Sequence, residues 1–132
     1  MRKLALDVRP GEYTVVKLDP VTPPGPELFA GPGLVSVTRT AGELSVVCPS
    51  ESAPVGIESE PGWRLLTVRG PFEFTLTGIL AALAGALAAD GVPLFALSTF
   101  DTDHLLVKDA DLARATDALR EAGHDVVSQN PG

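Results

Sequence analysis

The 132-residue sequence is poor in the side chains on which most metal sites and covalent catalysis depend. It has one cysteine, Cys48, and two histidines, His104 and His124, and aromatic residues make up 5% of the chain. A single cysteine excludes an internal disulfide. These three residues do not stand at a spacing typical of zinc binding or of a cysteine nucleophile with its base. We therefore expect structural or surface roles for them, no metal, no cofactor and no enzymatic activity.

Positive charge and long apolar runs are also scarce. Ten Lys and Arg residues face 17 Asp and Glu residues, for a net charge of -7. Binding to phosphate backbones depends on clustered cations, so a nucleic-acid partner is not expected. The longest apolar run, around GILAALAGALAA, is shorter than the ~20 residues needed to span a bilayer. The N-terminus has no signal-peptide pattern. We expect a soluble cytoplasmic protein with no membrane partner.

Prolines are concentrated in the first half of the chain. Five of the 12 prolines stand between Pro20 and Pro32, which excludes a long helix there. Around this segment, YTVVKL, LVSVTRT and ELSVVCP are typical of short strands. The Pro-Gly pair in RPGE predicts a turn that joins LALDV and YTVVKL in a hairpin.

The second half has a regular alternation of elements. Three segments are typical of strands: WRLLTVRG, PLFALSTF and HLLVK. A fourth, HDVVS, is typical of a last strand. Apolar residues at helical spacing predict helices over residues 76–89 and 110–122. Gly91 and Gly123 mark the ends of these helices. The resulting order is strand, helix, strand, strand, helix, strand.

This order predicts an α+β fold of the ferredoxin-like βαββαβ type, with an antiparallel sheet and both helices on one face. The first half repeats the order, with proline-rich links where the helices would stand. We therefore predict a tandem repeat, with a degenerate unit at residues 1–61 and a complete unit at residues 62–132.

Residues 63–127 resemble the ACT-domain family, and in particular small tandem ACT-domain proteins. The resemblance rests on TLTGIL, which follows a glycine-containing loop, and on STFDTDHLLVK, which enters a helix. It extends to the ACT units of cytosolic arginine sensors and to the regulatory tails of aspartate kinases.

The resemblance implies a regulatory module that binds a free amino acid, usually at an interface between two ACT units. The ligand residues that it implies lie in the glycine loop and in a Thr-Phe-x-x-Asp stretch, and they are Gly70, Phe72, Phe74, Thr99, Phe100 and Asp103. A structural or protein-interaction module that has lost ligand binding is the alternative.

The residues themselves leave several roles open. Gly70 lets the backbone approach a ligand next to a helix N-terminus, or it only makes a turn while Thr75 and Thr77 cap the helix. Asp101 and Asp103 point to the same side if one strand contains both. They are then suited to a ligand ammonium group, to a hairpin tip that bonds its own backbone, or to a metal.

Two further patterns concern packing. The first predicted helix carries a stripe of small residues that another element can approach closely: Ala81, Ala82, Gly85, Ala88 and Ala89. That element is the second helix or another subunit. The strands LFAL and LLV are apolar on both sides. The helices bury one face of the sheet, so a second element has to bury the apolar side chains of the other face. We therefore expect a homodimer, with a regulated protein partner that the sequence does not identify.

Overall fold

The computed structural model describes residues 3–70 and 78–128. The helices among these residues are α1 (Ile79–Ala89) and α2 (Leu112–Glu121). The strands, numbered along the chain, are β1 (Ala5–Val8), β2 (Tyr13–Leu18), β3 (Ser36–Arg39), β4 (Leu44–Pro49), β5 (Ser59–Val68), β6 (Phe95–Ser98), β7 (Asp103–Lys108) and β8 (Asp125–Ser128). The chain divides into two compact units, Gly11–Trp63 and Met1–Pro10 with Arg64–Gly132. We call them the proline-rich unit and the helical unit.

The proline-rich unit is an antiparallel sheet in the order β3–β4–β2–β5, to which β5 contributes its first residues. A short 3-10 turn, Pro26–Phe29, stands in the proline-rich link between β2 and β3. Its Leu28 is buried with Val16, Val46 and Cys48 in the core of this unit. A long helix is absent from this link, as the sequence predicts, and the single turn that stands there contributes a core side chain.

The helical unit has the strand order β6–β7–β5–β1–β8. Strand β1 runs antiparallel to β5 and parallel to β8, with Leu6 opposite both Val68 and Val126. In a ferredoxin-like unit the first and last strands are neighbours, whereas here β1 is inserted between them. The sheet therefore contains one parallel pair, which the sequence does not predict.

The predicted hairpin between β1 and β2 is wrong. Strand β1 pairs with β5 and β8, and β2 pairs with β4 and β5. The physical reason lies in the burial of β1, since Leu6, Asp7 and Val8 are all buried. A strand buried on both faces is stable in the middle of a sheet, where both edges are paired, and not at the exposed edge of a hairpin.

Both helices pack on one face of the helical unit's sheet. The buried core consists of apolar side chains from β1, β5, β7 and β8 and from the two helices: Leu4, Leu6, Val8, Leu66, Val68, Leu83, Leu87, Val92, Leu105, Val107, Ala115, Ala118, Leu119 and Val126. Helix α2 follows a 3-10 turn over Asp109–Asp111, so it begins two residues later than predicted. The α+β, ferredoxin-like fold class is confirmed. The domain boundary at residues 61 and 62 stays a prediction, and residues 1–10 lie with the helical unit.

The two helices end in the same way. After α1, Gly91 N donates to Ala88 O at 3.0 Å and Val92 N donates to Leu87 O at 2.9 Å. After α2, Gly123 and His124 make the equivalent bonds to Arg120 and Leu119. Both glycines have positive φ. This is the Schellman motif, in which a left-handed glycine satisfies the last carbonyls of a helix.

The small-residue stripe of α1 does not pack against the second helix. Ala81, Gly85, Ala88 and Ala89 are exposed, and nothing lies within 4 Å of a Cβ built on Gly85. Helix α1 is buried instead through Leu83 and Leu87. The helical unit therefore presents an uncharged face of α1 to solvent.

Two glycine substitutions in and beside α1 should have opposite effects. Gly91→Ala should lower the free energy of unfolding by about 1–2 kcal/mol, because φ is +71° at this position and a Cβ is strained there. Gly85→Ala should raise it by about 0.5–1 kcal/mol, because alanine has the higher helix propensity and the site is open. Urea unfolding of both variants tests this, and a stabilised Gly91→Ala protein would contradict the helix end described here.

Candidate functional site

The β6–β7 hairpin carries most of the predicted ligand residues. Its last strand pair is Ser98 opposite Asp103, so residues 99–102 form the loop. Thr99 N donates to Thr102 O at 2.9 Å, and Thr99 Oγ1 donates to the same carbonyl at 3.2 Å. The loop is thus closed by its own backbone.

Asp101 and Asp103 occupy different environments. Strand β7 begins at Asp103, so Asp101 lies in the exposed loop and not in a strand. The condition under which both carboxylates share one side is therefore not met. Asp101 has the position of a hairpin-tip residue, whereas Asp103 is half-buried and belongs to the sheet.

Asp103 is held in place by its neighbour across the hairpin. The Ser98 hydroxyl donates a short hydrogen bond to Asp103 Oδ1. Alternation along β7 puts Asp103 on the same face as Leu105 and Val107, which belong to the core beneath the helices. Its carboxylate therefore lies at the end of the helix-covered face, and the bond from Ser98 leaves acceptor positions on its oxygens.

The hairpin loop is tied to the end of β5. Thr102 Oγ1 donates to Val68 O at 2.7 Å, and Val68 is the last residue of that strand. Gly70 follows two residues later and is exposed. The structure thus brings Gly70 and the Thr99–Asp103 stretch to the same end of the sheet.

The remaining predicted residues are placed as follows. Thr99 is exposed, and Phe100 is 81% exposed, a large fraction for an aromatic ring. Phe72 and Phe74 lie outside the described residues, as do Thr75 and Thr77. The ligand roles of all six predicted residues stay predictions.

The opposite face of the same sheet carries two polar pairs that sequence reasoning missed. Asp7 on β1 is 8% exposed and accepts hydrogen bonds from Arg69 Nε at 3.0 Å and from Arg69 Nη2 at 2.8 Å. These bonds raise the pKa of the Arg69 guanidinium. The available signal was a carboxylate in the middle of the apolar run LALDV, but nothing local identifies a partner 62 residues away.

The second pair is His104 on β7 and Thr67 on β5. His104 Nδ1 lies 3.1 Å from Thr67 Oγ1, and the side chain is buried. Burial lowers the pKa of His104, and Arg9 lowers it further, while Asp103 acts in the opposite direction. The imidazole is therefore held in its neutral form, which suits a structural hydrogen bond.

Cys48 is buried, and the described part of the chain contains no cluster that could hold a metal ion. Cys48 is a buried core residue of the proline-rich unit, and burial raises the pKa of its thiol, so the nucleophilic thiolate is disfavoured. No group of three or more His, Cys, Asp or Glu side chains that could hold a metal ion exists among residues 3–70 and 78–128. Within the same ranges, every helix is too short or too polar for a membrane span.

Fold and site together define an α+β domain, with a ferredoxin-like sheet and a polar hairpin at its end. The sequence model of the ACT domain matches residues 58–121. A second model, of an N-terminal domain, matches residues 11–55. These matches correspond closely to the helical and proline-rich units. Residues 58–121 belong to the ACT-domain family.

Two solved structures have a similar fold. A crystal structure of a protein from Agrobacterium tumefaciens has a TM-score of 0.90 and 35% identity over 98% of this chain and 96% of its own. The regulatory subunit of aspartate kinase from Thermus thermophilus has a TM-score of 0.59 over 89% of this chain and 97% of its own, and at 12% identity it shows the fold alone.

The rat cytosolic arginine sensor for mTORC1 subunit 1 is 30% identical over 115 residues, or 81% of this chain. The chain spans about a third of that relative's length, 34%. A mouse counterpart is 34% identical over 100 residues. The function named for these relatives is therefore that of proteins longer than this chain.

The His104–Thr67 pair leads to a pH prediction. Because the pKa of His104 is lower in the folded protein than its ordinary 6.5, the unfolded chain takes up the proton first as pH falls. Stability should therefore decrease as pH is lowered from about 7.5 to 5.5, and His104→Gln should make this decrease smaller. Melting temperatures across this range test the prediction, and an identical pH dependence in the variant would contradict it.

Proposed function

We propose that this protein is a non-enzymatic amino-acid sensor, whose helical unit binds a free amino acid through the glycine loop and the β6–β7 hairpin. The proposed contacts are Gly70, Phe72, Phe74, Thr99, Phe100 and Asp103. The observation that supports it most directly is the bond from Thr102 to Val68, which fixes the hairpin beside the Gly70 end of β5.

Each end of an amino acid has a chemically suited partner in this proposal. The ligand ammonium group pairs with the half-buried Asp103 carboxylate, which Ser98 orients by its hydroxyl bond. The ligand carboxylate is received by backbone N–H groups of the loop that begins at Gly70, where the absence of a side chain permits close approach. Thr99 and Phe100 add contacts from the hairpin loop.

Family membership supports a regulatory role without enzymatic activity. The rat relative is named as an arginine sensor and as cytosolic, and the aspartate kinase relative is a regulatory subunit. We therefore propose a cytoplasmic protein in which ligand occupancy changes an interaction with a protein partner. The proline-rich unit, with the same strand order and 3-10 turns in place of helices, is proposed as a degenerate ACT copy.

A thermal-shift screen against the twenty amino acids, with arginine as the first candidate, identifies the ligand. Specific binding to the folded state raises its stability by about 2.7 kcal/mol at a hundredfold excess over Kd. An amino acid that raises the melting temperature in a saturable way supports the proposal. No response to any of the twenty would favour the alternative, an interaction module of ACT fold that has lost ligand binding.

The two hairpin aspartates provide a matched pair of variants. Asp103→Asn should weaken binding of the best ligand by roughly ten- to a hundredfold, because a charge-assisted hydrogen bond contributes about 1.5–3 kcal/mol. Asp101→Asn should change the affinity by less than about twofold, since Asp101 lies in the exposed loop. Calorimetry measures both, and equal affinities for wild type and Asp103→Asn would overturn the assignment of the ammonium site.

We also propose a homodimer. Exposed Ala81, Gly85, Ala88 and Ala89 give α1 an uncharged face, and β6 and β8 are the outer strands of the helical unit's sheet. Outer strands and uncharged helix faces are surfaces on which subunits associate. Light scattering at high micromolar concentration should give twice the chain mass. A monomer both with and without amino acids would count against this proposal.

A further inference from the structure

A polar pocket lies at the end of the helical unit's sheet that also holds the proposed amino-acid site. It is on the β1–β8 side of β5. It has a volume of about 470 Å³ and is lined by Lys3, Arg69, Arg120, Gly123, His124, Asp125, Val126 and Val127. Neither Gly70 nor Asp103 contributes to it. The pocket is therefore distinct from the proposed amino-acid site.

Backbone bonds fix the lining at this end of the sheet. Arg69 N donates to Ala5 O at 2.8 Å, and Asp125 N donates to Leu4 O at 2.9 Å. Arg120 Nη2 donates to Val126 O at 2.8 Å, which holds the guanidinium at the end of α2 beside β8. Cationic residues from the end of α2, from the position after β5 and from the segment before β1 thus line one pocket.

The charge of this pocket is opposite to that of the protein. Among residues 3–70 and 78–128, the lining contains three cationic side chains and one carboxylate, Asp125, so it carries 3 − 1 = +2, while the chain carries -7. Lys3 Nζ lies 3.4 Å from Asp125 Oδ2, and both side chains are mainly exposed. Asp7 engages Arg69 through Nε and Nη2, which leaves Nη1 outside those bonds. Including Asp7, the local charge is still positive.

His124 supplies an independent observation. It is 3% exposed, and its Nδ1 accepts a hydrogen bond from Leu4 N at 3.1 Å. A neutral imidazole that accepts at Nδ1 carries its proton on Nε2. That buried Nε2 has no hydrogen-bond partner among the residues that the structure describes. Buried donors are nearly always satisfied, so an unpartnered donor on a residue that lines the same pocket as three cationic residues indicates a missing acceptor.

We propose that this pocket binds a small dianion, either a phosphate group or a dicarboxylate, as a second ligand of the protein. Arginine and lysine are the side chains that recognise such anions through charge-assisted hydrogen bonds. The volume falls within the range of about 300–1,000 Å³ of small-molecule sites. Val127, which is 42% exposed, adds apolar surface for an organic body that carries the anion.

Calorimetric titration at low ionic strength tests the proposal with inorganic phosphate, glycerol 3-phosphate and succinate as probes. Saturable binding of at least one probe is expected, and the probe that binds distinguishes the phosphate from the dicarboxylate source. Lys3→Gln and Arg120→Gln should each weaken binding by about three- to tenfold, because each removes one charged donor. Lys3 is mainly exposed, so Lys3→Gln keeps the fold intact.

Arg114→Gln is the matched control, since Arg114 lies on the same helix, pairs with Asp111 and does not line the pocket. It should leave binding unchanged. Asp103→Asn should also leave it unchanged, so a failure of the amino-acid site does not affect this test. Absence of saturable binding with all three probes, or equal weakening by Arg114→Gln and Lys3→Gln, would overturn the proposal.

Discussion

The insertion of β1 between β5 and β8 is the constraint on which the helical unit depends. Three residues of β1 pair with β5 residues 58 to 62 positions away, and four pair with β8 residues 120 positions away. Leu6 and Val8 complete the core beneath both helices. The same insertion brings Asp7 to Arg69, Lys3 to Asp125 and the Leu4 amide to His124. The N-terminal segment therefore belongs physically to the unit that contains the ACT match.

This insertion also explains why polar residues occur inside the sheet. A carboxylate at position 7 is buried only because β1 is a central strand, and a buried charge is stable only when it is paired and hydrogen-bonded. The Arg69 guanidinium meets that need through bonds to both carboxylate oxygens. Arg69 stands directly before Gly70, so the end of β5 that leads into the proposed amino-acid loop is anchored by an ion pair on the other face of the sheet.

At this end of the sheet, the polar groups on the two sides of β5 differ in charge. On the β7 side, Asp103 and the hairpin loop present carboxylate and carbonyl groups suited to an ammonium group. On the β1 side, Lys3, Arg69 and Arg120 present cations suited to an anion. Both sets depend on the same strand ends. In the proposed scheme, a zwitterion and a dianion bind on the two sides of one strand, and the binding of each is tested independently of the other.

The sequence by itself determined the helices, the α+β class and the family. Those features follow from local patterns: a 3.6-residue apolar period, glycines at Gly91 and Gly123, and a turn-forming Thr-Phe-Asp-Thr loop. Only the tertiary structure decided the partners of β1, the burial of Asp7 with Arg69 and the meeting of Lys3, Arg69 and Arg120. These contacts join residues about 50 to 120 positions apart. Pairing over such distances depends on which strand occupies the middle of the sheet. Several strands of the chain compete for that position, and no short stretch of the sequence shows which of them occupies it.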